Sequence, residues 1–177
     1  MTKKLIKKLL IAFIVISVCF IIQSTLFYRG ALAYGTPDIM LILSCSWGFM
    51  RKEREGMFVG LFSGLLMDLF SETLFGFYML IFLFMGYICG LFSESYYSDD
   101  IKLPITLITI CDFVYHMYIY IIIFLLKGDL NLGLYFKTII LPSACYTLII
   151  SLILYTIFHY FNKKWIDSDR KVRKTIV

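Results

Sequence analysis

The chain has 177 residues, of which 60% are apolar or aromatic and 16% charged. A soluble domain carries about a quarter charged residues to cover its surface. The composition therefore excludes a water-soluble enzyme, a disordered protein and a disulfide-built secreted domain, and it points to an integral membrane protein lying in lipid. The formal charge of +5 comes from basic residues that flank apolar runs. That placement is an orientation signal, and no nucleic-acid partner is expected.

The first apolar span, residues 9–28, follows Lys3, Lys4, Lys7 and Lys8. Ala31-Leu32-Ala33 resembles a signal cleavage site, but the run is long for a signal segment and Arg29 precedes the site, so a retained helix is expected. The second span, residues 31–50, is the weak one. Its continuous apolar part, Ile39 to Met50, covers only about 18 Å at 1.5 Å per residue. Thr36-Pro37-Asp38 before it reads as an N-cap, a first helical position and an acidic first turn. Two readings follow. Either residues 31–35 supply another turn, or the helix begins below the membrane surface with protein or water around its free backbone groups.

Spans three and four, residues 55–70 and 75–92, are joined by Ser71 to Leu74, a connection short enough to predict an antiparallel hairpin. Spans five and six cover 103–126 and 138–161, and a basic tail follows over 162–177. The fold class expected is an all-α membrane protein, one domain over 1–177 with six transmembrane helices. With both termini cytoplasmic, Lys3, Lys4, Lys7, Lys8, Arg51, Lys52, Arg54, Lys102, Lys163, Lys164, Arg170, Lys171, Arg173 and Lys174 lie inside, 14 of the 17 basic residues. Arg29, Lys127 and Lys137 lie outside. The asymmetry sets the orientation, and the basic tail with Trp165 reads as an anchor on anionic lipid.

Function must be sought in the small and polar residues inside these spans. Gly56, Gly60 and Gly64 recur every four residues on span three, with Asp68 continuing the stripe; Gly86 and Gly90 repeat the spacing on span four, which Gly76 begins. Such stripes let helix backbones approach in lipid. Close packing is the favoured reading, and a partner protein's helix is the alternative. Asp38 can offset the positive end of its own helix, whereas Asp68 stands at a C-terminal end that disfavours negative charge. A hydrogen-bonded or binding role is therefore expected for Asp68. Asp112 and His116, four apart on span five, form a buried polar pair, read as an interhelical clamp before a proton relay. No nucleophile accompanies the acids, so no catalytic residue and no enzyme is expected. Five cysteines scattered in apolar runs without CxxC, and two distant histidines, predict neither a disulfide, a metal site nor a cofactor.

From span two to span four the chain resembles the rod shape-determining MreD family. The residues that carry the resemblance are Pro37-Asp38-Ile39-Met40-Leu41, Arg51-Lys52-Glu53-Arg54-Glu55-Gly56, Gly60 to Leu69 with Gly64 and Asp68, Leu74-Phe75-Gly76, and Gly86-Tyr87-Ile88-Cys89-Gly90. The resemblance implies a non-enzymatic scaffold or regulatory subunit of the bacterial cell-elongation complex in the cytoplasmic membrane. It would bind MreC and, through it, MreB, a RodA-type glycosyltransferase and a class B penicillin-binding transpeptidase, helping peptidoglycan synthesis keep a rod shape. Carried over by position, Pro37, Asp38, Gly56, Gly60, Gly64, Asp68 and Gly76 match the family pattern; Glu72 departs from it. The family is also similar in fold to vitamin-binding subunits of energy-coupling-factor transporters, which supply the alternative function. Those dock through Ala-x-x-x-Ala on the first helix, where this chain has Ala12 and then Ile16.

Overall fold

The computed structural model describes residues 2–27, 38–70, 75–95, 102–127 and 132–174, and among them every element is helical. The helices are α1 (Thr2–Ile22), α2 (Ile39–Arg51), α3 (Glu53–Phe70), α4 (Phe77–Leu91), α5 (Lys102–Lys127), α6 (Leu132–Tyr135) and α7 (Leu141–Lys174). A π-helical turn, Gln23–Phe27, closes α1, and another, Phe136–Ile140, joins α6 to α7. The basic stretch expected as a tail continues α7 as helix to Lys174.

The exterior is apolar and the interior holds the polar groups. Phe13, Phe58, Phe84, Ile110, Ile149 and Ile153 are exposed, while Asp38, Asp68, Asp112, His116, Ser143 and Thr147 are buried. Water would penalise that arrangement; hydrocarbon favours it. Two helical stretches, Lys102–Ile122 and Gly133–Tyr160, are long and apolar enough to cross a membrane, and Leu10–Thr25, Ile39–Arg51 and Phe77–Leu91 are shorter apolar helices.

The short α2 is the axis of the bundle. Its residues from Ile39 to Phe49 are buried apart from Trp47, and it contacts α1, α3, α4, α5 and α7. A helix apolar on all sides has to be enclosed, and the neighbouring helices take the place of lipid. The span expected over 31–50 thus corresponds to a helix that starts at Ile39, with Asp38 at the N-cap instead of in the first turn. Pro37 and the possible extra turn at 31–35 lie outside the described residues. One free backbone N–H at this start is met by protein. The Gln23 side chain, held in the π-turn of α1, accepts from the Met40 N–H at 3.0 Å.

One residue, Lys52, links α2 to α3. Its φ of +75° with ψ of 171° lies in a region nearly confined to glycine. The link turns this sharply because α3 must return at once along α2, and its side chain is exposed. Lys52→Gly should relieve about 1 kcal/mol of strain. A rise of about 2–4 °C in thermal midpoint is expected in detergent. A lower midpoint would show that the lysine side chain outweighs the backbone strain.

Candidate functional site

The glycines form a seam. A Cβ at Gly56 would meet the Gly86 carbonyl, one at Gly60 the Phe82 carbonyl, and one at Gly64 the backbone of Tyr78 and Met79. The partner numbers fall as the glycine numbers rise, so α3 and α4 run antiparallel in backbone contact. Gly90 meets the backbone of Glu53, and Gly48 on α2 meets Gly86 and Gly90. Gly48 escaped the sequence reading because it is a single glycine in an apolar run. The stripe is therefore filled by α4, and the alternative of a partner's helix on it has no room.

Asp68 ties the two helices together at the turn end of this hairpin. Its Oδ1 accepts from the Tyr78 N–H and its Oδ2 from the Met79 N–H, both at 2.9 Å. These are the second and third N–H groups of α4, the donors that an N-cap side chain ordinarily satisfies. The N-cap residue is Gly76, with φ +93° and no side chain to do this. An aspartate from the preceding helix therefore supplies the cap. Its charge is unfavourable for the end of α3 and favourable for the start of α4.

A second polar site lies where α1, α2, α5 and α7 meet. Gln23 Nε2 donates to Asp38 Oδ1 at 3.2 Å. Thr147 Oγ1 donates to Asp112 Oδ1 at 3.0 Å, and His116 Nε2 pairs with Ser143 Oγ at 2.6 Å. Asp112 and His116 are 3.8 Å apart along α5. Both reach across to α7, so they fasten α5 to α7 as a pair. Asp38, Asp112 and His116 each offer a ligand atom, all within 4.8 Å of one another. Asp112 Oδ2 is buried and has no hydrogen-bond partner among the described residues. Sequence spacing revealed the α5 pair, but nothing local signals that Asp38, Gln23, Ser143 and Thr147 converge on it.

The cysteines also rearrange the expectation. Cys45, Cys89 and Cys111, each isolated in sequence, bring their sulfurs within 4.8 Å of one another on α2, α4 and α5. Cys89 and Cys111 are the closest, at 3.6 Å. The distance of 22 residues between these two conceals the cluster in a linear reading. Cys19 is buried apart from them, and Cys145 is exposed.

A helical bundle with an apolar exterior and an interior joined by glycine contacts and polar bonds defines a helical membrane protein. The family model for the rod shape-determining protein MreD matches residues 3–165, and the chain belongs to that family. Membership gives it a role in rod-shape determination. No curated protein and no solved structure matches it.

Proposed function

We propose that the protein is a non-enzymatic scaffold of the cell-elongation complex, holding MreC beside the peptidoglycan synthases in the cytoplasmic membrane. The family match over residues 3–165 carries this reading. Through MreC it works with MreB, a RodA-type glycosyltransferase and a class B penicillin-binding transpeptidase. The chain crosses the membrane six times with both termini inside, an orientation supported by the inner excess of lysine and arginine. In this reading α2 is the crossing that protein, not lipid, surrounds.

Partner contact falls on the exterior, because the glycine seam and Asp68 are engaged within the α3–α4 hairpin. One apolar groove there, between α1 and α3, is lined by Leu10, Phe13, Ile16, Phe58, Val59 and Phe62. The double variant Phe58→Ala/Phe62→Ala should reduce co-purification of MreC while leaving the thermal midpoint unchanged. Depletion in the rod-shaped host should round the cells. Normal shape after depletion would sink the proposal, and unchanged MreC recovery would remove the groove from it.

The vitamin-transporter alternative has less support. Ile16 stands where the docking pattern has its second alanine, so the small-residue pair is absent. A vitamin found by mass spectrometry in the purified protein would reverse the ranking.

A further inference from the structure

We propose that Asp38, Asp112 and His116 form a binding site for one divalent transition-metal ion, of the zinc class, inside the helical bundle. The inference rests on the geometry of the polar site and is independent of the MreC-scaffold reading.

Two carboxylates lie here with oxygens within 4.8 Å, one residue 7% exposed and the other fully buried. Like charges this close, away from water, repel strongly and lose their hydration, so they need a cation or a proton between them. The two carboxylates already carry supporting bonds, whereas His116 Nε2, the nitrogen nearest Asp112, is bonded to Ser143 Oγ at 2.6 Å, a bond that the ion would replace. Thr147 occupies Asp112 Oδ1 and Gln23 occupies Asp38 Oδ1. Asp112 Oδ2, buried and unpartnered among the described residues, is the oxygen left for the ion. Hydrogen bonds that orient the ligands in this manner are the usual outer layer of a metal site.

Ligand type and charge select the ion. Two carboxylates and a neutral imidazole around a divalent cation sum to zero net charge, the combination that a low-dielectric interior tolerates best. Imidazole favours zinc-like ions over magnesium or calcium, which prefer all-oxygen shells. Ligand atoms on a tetrahedral zinc ion lie about 3.4 Å apart. Closing from the present spacing needs side-chain shifts of about an ångström, with no helix rearrangement. Three protein ligands leave a fourth position open. Because Asp38 precedes α2, Asp112 and His116 sit on α5, and their supports come from α1 and α7, the ion would tie four helices together.

The buried thiols Cys45, Cys89 and Cys111 are the competing site, and the test must separate the two. Full-length protein in detergent, stripped by a chelator, is titrated with Zn²⁺ against a chromophoric competitor. One equivalent should bind. Asp112→Asn, His116→Gln and Asp38→Asn should each weaken binding at least about tenfold. The Cys45→Ser/Cys89→Ser/Cys111→Ser variant should bind as the native chain does. Loading with Co²⁺ should give visible bands without intense near-ultraviolet thiolate charge transfer. Circular dichroism and gel filtration identify any variant that fails to fold, and the other two then carry the comparison. Absence of stoichiometric binding to the native protein overturns the proposal, leaving a shared proton between the carboxylates. Binding that survives all three ligand substitutions but disappears with the cysteines also overturns it.

Discussion

Gly60→Leu should abolish recovery of folded, monodisperse protein. A Cβ at this position already overlaps the Phe82 carbonyl, and the rest of a leucine would have to displace α4. Overpacking against side chains costs about 1–3 kcal/mol because side chains can turn aside. Here the obstacle is backbone held by its own helix, so the cost should exceed that range and consume much of a typical stability of about 5–15 kcal/mol. Even Gly60→Ala should destabilise, although alanine favours helix by about 1 kcal/mol over glycine. The internal control is Gly133→Ala on α6, where a Cβ meets nothing within 4 Å. There the propensity gain should stand alone, and the thermal midpoint should hold or rise. Equal midpoints for the two alanine variants would show that the seam is looser than the backbone contacts imply.

Asp68→Ala should cost about 3 kcal/mol, since it leaves two N–H groups at the start of α4 without their acceptor. The loss is local before it is global. Amide exchange at Tyr78 and Met79 should accelerate first, while amides in the middle of α4 stay protected. Asp68→Asn keeps one carbonyl acceptor but turns an NH2 group toward the second N–H, so it should fall between the native chain and the alanine variant. Unchanged exchange at both amides in Asp68→Ala would mean that the cap is dispensable. Reduced MreC binding in this variant would need the same exchange data before being read as a contact, because α4 carries part of the exterior.

The hairpin of α3 and α4 was the most legible part of the fold. Glycines every four residues, then an aspartate, then a short connection specify close antiparallel packing through local spacing alone. The role of Asp68 was legible only as an anomaly. A negative charge at the wrong end of a helix announces that something compensates it, and the compensating N–H groups belong to the next helix. The weakness of the second span was visible too, as an apolar run short for a bilayer that needs either an extra turn or protein or water around its start. What encloses it was not. Gln23 in a π-turn, 17 residues from the Met40 N–H that it bonds, has no signature in a window of sequence.

The meeting of Asp38 with the Asp112–His116 pair, and that of Cys45, Cys89 and Cys111, lie beyond local reading. Each brings together residues from separate helices, and a helix's register fixes which face a residue occupies without naming the helix opposite. The expectation that five dispersed cysteines and two histidines make no metal site rested on spacing, and spacing speaks only for ligands on one element or one turn. By itself the sequence determined the solvent, because 16% charge cannot clothe a chain in water, and it determined which backbones could touch, because only glycine permits it. Tertiary structure alone decided which buried polar groups meet. In an apolar bundle those few groups must find one another across helices or be left unpaired, and the crossing of the helices selects the partners.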